Sequence, residues 1–150
     1  MLREDIQNAL KEAMKNKNML EVNAIRMIIA GQKEKDVDAR GKGKEKAEDA
    51  DLLAMMQTMI KQRRESIEMF IKGARPELAQ KEEAEIKIIE RFLPKQLSAD
   101  EIEQAIKGVI EETGAASMKD MGKVMGALRA KYAGQMDFGA VSGVIKTLLS

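Results

Sequence analysis

Gly122-Lys123-Val124-Met125-Gly126 is the stretch of this 150-residue chain best suited to hold a ligand. Its spacing places it at or near the start of a helix. A glycine and a lysine there can bind a phosphate, because free N–H groups, the helix dipole and the ammonium all favour an anion. Arg129, Lys131 and Gly134 follow closely, and Lys146 comes later. Residues 121–150 carry Lys123, Arg129, Lys131 and Lys146 against one carboxylate, Asp137, a formal charge of +3 in a chain whose total is +1. The basic bias is therefore local, and any hold on a polyanion rests on that patch rather than on bulk charge. A small, basic, glycine-punctuated helical segment is a nucleic-acid contact surface in outline. Its candidate contacts are Lys123, Arg129, Lys131 and Lys146 for phosphates, with Gly122, Gly126 and Gly134 setting backbone approach.

Each of these residues also has a plainer account. Gly122 and Gly126 are four apart, as are Gly139 and Gly143, so each pair can admit a neighbouring helix. On that account leucine at Gly139 or Gly143 overpacks the segment. Arg129 and Lys131 close a helix, where a cation is favourable by ~0.3–1 kcal/mol on its own. Positions 123 and 131 nearly align on a helix, whereas Arg129 projects elsewhere. Tyr132 can stack on a base or sit half-buried in a core.

Elsewhere the chemistry is thinner. Lys61-Gln62-Arg63-Arg64 suggests an RNA stripe by its three cations, but reads better as a solvated, salt-bridged helix surface, with Arg64 and Glu68 as an i,i+4 pair. Glu82, Glu83 and Glu85 offer carboxylates without a partner arrangement, and no Mg²⁺ site is expected from them. Lys42-Gly43-Lys44 lacks the spacing and the preceding strand of a phosphate loop. Met55, Met56 and Met59 either fill a core or form an adaptable partner surface. The chain has no Cys and no His. That removes disulfides and cysteine-based zinc sites, and also the commonest general base and metal ligand. No catalytic residue, cofactor or metal is expected.

The elements that must position these residues are helical. Aromatic content is 3%, and Leu, Ile, Val, Ala and twelve Met must fill the interior. Ala, Leu, Met, Glu, Lys and Gln are strong helix formers, so the fold class expected is all-α. Leu2, Ile6, Ala9, Leu10, Ala13 and Met14 mark one face of a first helix. A second starts near Leu20 and loses its pattern after Gln32, leaving a loop over 36–48. A third runs from about Asp49 to Lys72, with Gly73 as a left-handed cap. Pro76 opens a fourth that reaches about Phe92. Leu93-Pro94 then divides a helical N-terminal domain, 1–93, from a small three-helix domain, 95–150. Ser98-Ala99-Asp100-Glu101 matches a capping box. Ser117 and Asp137 are set to cap the last two helices, the final one closing at Ser150. Met1-Leu2-Arg3-Glu4-Asp5 is charged at once, unlike a secretory signal. No stretch approaches the ~18–20 apolar residues of a membrane span. The expected compartment is the cytoplasm, with no membrane partner.

Three groups of residues carry a resemblance. They are Arg91-Phe92-Leu93-Pro94-Lys95-Gln96-Leu97-Ser98, Asp120-Met121-Gly122-Lys123-Val124-Met125-Gly126 and Lys131-Tyr132-Ala133-Gly134. Together they resemble the YqeY family of small bacterial proteins, related to the tail domain of GatB. The likeness to YqeY proteins covers essentially the whole chain, including Ile25-Arg26-Met27 and Lys61-Gln62-Arg63-Arg64-Glu65-Ser66. The likeness to GatB is confined to its helical tail, clearest from about residue 118. GatB belongs to the tRNA-dependent amidotransferase, a carbon–nitrogen ligase with glutamine as amido donor. The resemblance implies a helical N-terminal domain joined to a three-helix tail, and a tRNA or other RNA partner. It does not imply catalysis, because GatB's carboxylate activation lies in its large catalytic domain. Ammonia there comes from a separate amidase subunit with a Ser–Lys arrangement. This sequence holds neither part. The alternative expectation is a protein-interaction module or scaffold, docking on an amidotransferase or another complex.

Overall fold

The computed structural model describes residues 2–149, and no strand occurs among them. The chain divides into two compact units, Met1–Pro94 and Lys95–Ser150.

The first unit holds α1 (Leu2–Lys15), α2 (Met19–Gly41), α3 (Asp49–Lys72) and α4 (Pro76–Glu90). α3 packs along α4, α1 packs along α2, and α2 also meets α4. Ile6, Ile25, Ile28, Met56, Ile60 and Ile89 form the centre of the core. These are the positions that recur at three and four along each helix, so the stripes meet as amphipathic helices should. Asn18 caps α2 by accepting the Glu21 N–H at 3.2 Å.

α2 departs from expectation. It continues through the polar stretch to Gly41 instead of stopping near Gln32. Arg3 on α1 forks onto Asp36 at 2.9 and 2.6 Å. Asp36 also accepts the Ala47 N–H at 2.9 Å, and Arg3 donates to the Ala47 carbonyl at 2.7 Å. Ala39, Ala47 and Leu52 then close a small satellite core. A tertiary clip thus holds a helix segment that has no apolar stripe of its own.

Gly73 is not the left-handed cap of α3. Its φ is −84°, and Ala74 takes the left-handed conformation at φ 56°. The Arg75 N–H reaches the Phe70 carbonyl at 2.7 Å and the Ala74 N–H reaches that of Ile71 at 3.2 Å. The Schellman bonds therefore close one residue later than the glycine suggests.

The Lys61–Arg64 run is corrected too. Arg63 is buried, not solvated. It meets Glu85 at 3.0 Å and Glu82 at 3.8 Å, so two of the three carboxylates expected to lack a partner arrangement have one. Arg64 pairs with Glu90 at 3.4 Å, in place of Glu68.

The second unit holds α5 (Ala99–Thr113), a single 3₁₀ turn (Met118–Asp120), α6 (Met121–Tyr132) and α7 (Phe138–Leu149). Ser98 and Glu101 form the reciprocal capping box of α5, and Gly114 ends it at φ 69°. Ile106, Val109, Val124, Leu128, Val141 and Ile145 fill the core. Asp137 caps α7 by accepting the N–H groups of Gly139 and Ala140 at 3.0 and 3.4 Å. The expected helical close at Ser150 lies outside the described residues.

Candidate nucleic-acid interface

α6 and α7 supply the candidate contacts. Val124 and Leu128 anchor α6 to the core, and Val141, Ile145 and Leu149 anchor α7. The outward positions follow from that geometry. Gly122, Lys123, Gly126, Arg129 and Lys131 are exposed on α6, and Lys146 is exposed on α7. Neither helix contains an acidic residue.

The glycines do not pack helices together. A Cβ built at Gly122, Gly126 or Gly143 meets nothing within 4 Å, so the close-packing account fails for them. At Gly139 the nearest atom is Oδ1 of its own cap, Asp137, at 3.2 Å. Gly134 has a different task. It is buried at φ 77°, and its carbonyl accepts the Gln96 side-chain amide. It turns the chain between α6 and α7 and does not sit on the cationic face.

The cations divide by partner. Lys131 is tied to Glu112 of α5 at 2.5 Å. Arg129 lies over the Phe138 ring, 5.9 Å from its centroid. Lys123 and Lys146 form no ion pair among the described residues. Lys119, not singled out in the sequence, is likewise exposed and unpaired. Its position four before Lys123 was the available signal.

The start of α6 is less free than its sequence suggests. The Met121 N–H is already bonded to the Met118 carbonyl through the 3₁₀ turn. Asp120 turns its carboxylate back to the N–H groups of Ala116 and Ser117, at 2.9 and 3.4 Å. Those two bonds, with a smaller pull from Lys123, hold its carboxyl below the ordinary value. A fixed anion thus stands beside the helix start. The usable surface is the side of α6 and α7 rather than the end of α6.

Tyr132 is half-buried and packs against the unit's core, as does Phe138. In the first unit, a cleft of about 610 Å³ runs between α2 and α3. Met27, Gly31, Ala54, Met55 and Met59 line it, with Arg63 at one end. Met55 thus borders this cleft and Met56 is fully buried. No helix among the described residues is long and apolar enough to cross a membrane.

These features define an all-α protein of two helical units, one with exposed cations on two helices that hold no acidic residue of their own. The chain belongs to the YqeY family: the family model described as "Yqey-like protein" matches residues 3–149. Its relatives include yeast proteins named "Altered inheritance of mitochondria protein 41, mitochondrial". The one from Lachancea thermotolerans is 37% identical over 99 residues, covering 66% of this chain and 51% of that protein. The one from Vanderwaltozyma polyspora is 31% identical over 119 residues, covering 75% and 62%. The one from Candida glabrata is 37% identical over 84 residues, covering 56% and 45%. The chain therefore spans about half the length of the curated relatives it matches.

Proposed function

We propose that this chain is an RNA-binding accessory protein, with tRNA the first candidate, using α6 and α7 of the second unit. The observation that carries the reading is the pair Lys123 and Lys146. Both are exposed and unpaired, on two helices without a carboxylate. Such cations exchange condensed counterions for phosphate contacts, and the affinity then falls as salt rises. The resemblance to the GatB tail supports the choice of tRNA. The chain acts without the catalytic parts of the amidotransferase, and no ligase activity is assigned to it alone. The cytoplasm is its proposed compartment, although the printed names of its yeast relatives place those proteins in mitochondria.

The test is binding of the full chain to total tRNA. Lys123→Glu with Lys146→Glu should weaken it by about tenfold or more, since each removes one phosphate contact and adds repulsion. Lys131→Glu should cost less, because Lys131 already serves Glu112. Unchanged binding in the double variant removes this face.

One observation favours a second reading, a protein-interaction module. The α2–α3 cleft has a methionine-lined floor that can repack around different partners. A protein partner retained after nuclease treatment, and lost on filling the cleft with Ala54→Trp, would support it.

A further inference from the structure

We infer that the RNA this protein takes is double-helical, held by its sugar-phosphate backbone and not by its bases. The inference rests on the RNA reading above and narrows it to one class of nucleic acid.

Single-strand readers stack bases on exposed rings, and that stacking carries much of their affinity. The second unit has two rings, Tyr132 and Phe138, and both are half-buried against its core. The guanidinium of Arg129 lies over Phe138, so part of that ring is already in use. The first unit offers no better platform. Phe70 and Phe92 are half-buried as well, and with Tyr132 and Phe138 they complete the chain's three Phe and one Tyr. None of these four rings is fully exposed to take a base.

What the face does present suits a duplex. Lys123, Arg129 and Lys146 provide charge without a competing carboxylate on their helices. Gly126 and Gly143 are open, with no side chain between the helix backbone and an approaching surface. A-form RNA shows a wide, shallow minor groove of 2′-hydroxyls flanked by phosphates, and it is recognised mostly by shape. Exposed cations and open helix backbone suit that surface. The protein face presents no fully exposed aromatic ring on which an unpaired base could stack.

The experiment compares an RNA duplex of about 16 base pairs with each of its separate strands, using the full chain at one salt concentration. A second duplex of unrelated sequence serves as the sequence control. The duplexes should bind alike, and about tenfold or more tighter than the strands. Strands that bind as tightly as the duplex overturn this inference while leaving RNA binding intact. If neither binds, the inference falls together with the RNA reading. Two variants locate the contact. Gly126→Leu and Gly108→Leu both place a side chain in open space, so both should fold. Gly126→Leu should weaken duplex binding several-fold by holding the backbone off. Gly108→Leu, on acid-rich α5, should leave it unchanged. Equal duplex binding by the two variants overturns the proposed contact.

Discussion

Arg63 donates from Nε to Oε2 of Glu85 over 3.0 Å, and the two residues are only 7% and 9% exposed. This buried pair joins α3 to α4. Glu82 stands 3.8 Å away, Nη1 donates to the Met59 carbonyl and Nη2 to the Met27 sulfur, both at 3.3 Å. Removing Arg63 leaves Glu85 buried without a counterion, whereas removing Glu85 leaves Arg63 the longer contact to Glu82. Arg63→Ala should therefore destabilise the protein by about 3–5 kcal/mol, and Glu85→Ala by less. Replacing both, as Arg63→Met with Glu85→Leu, should cost much less, because the one carboxylate left without its partner, Glu82, is partly exposed. Urea unfolding of the three variants checks the order. A double variant as unstable as the singles would show that packing, not charge, dominates at this position.

The clip between α1 and α2 gives a pH dependence. Asp36 is lowered from 3.8 to about 2, first by its hydrogen bond from Arg3; burial opposes this next, and the Ala47 N–H then lowers it further. A carboxyl depressed in the folded state adds stability above its unfolded value, and that stability is lost as pH falls through the folded value. The contribution should be whole near neutrality and fade from about pH 4 toward pH 2. Asp36→Asn should lower the melting temperature at pH 7 and flatten the acid limb. Thermal melts across pH 2–7 for both proteins test this. Parallel curves would mean that Asp36 does not set the acid dependence.

The glycines divide into two groups with opposite expectations. Gly108, Gly126 and Gly143 lie inside helices with open space around them. Alanine at any of them should stabilise by about 0.5–1 kcal/mol, because glycine is the costlier helix residue. Gly114 and Gly134 hold φ 69° and 77°. Alanine there should destabilise by about 1 kcal/mol or more, because an L side chain is strained in that region. Chemical unfolding of the five variants reads the sign directly.

Much of this fold was legible because apolar residues recur at helical spacing in α1, α3 and α4, and the caps at Ser98 and Asp137 are local motifs. The end of α2 was not. Its last turns depend on Arg3, 33 residues away from Asp36, and no local pattern encodes that clip. Arg63 falls three after Ile60 and four before Ile67, on the apolar stripe itself, yet a cation within a run of cations has the local pattern of a solvated surface. In the candidate interface the excess of cations was visible, but their pairing was not. Lys131 and Glu112 lie 19 residues apart on different helices. Glycines four apart look the same in sequence whether a neighbour presses on them or nothing does, and only the folded unit separates the cases.

The central claim is that Lys123 and Lys146 carry an RNA-binding face. The most direct measurement is the affinity of the full chain for tRNA across a salt series, with and without Lys123→Glu and Lys146→Glu. Each phosphate contact contributes about −0.9 to the slope of log affinity against log salt in duplex regions. The account predicts a negative slope for the natural chain that becomes shallower by about two contacts' worth in the double variant. No binding at low salt, or the same slope in both proteins, would contradict it.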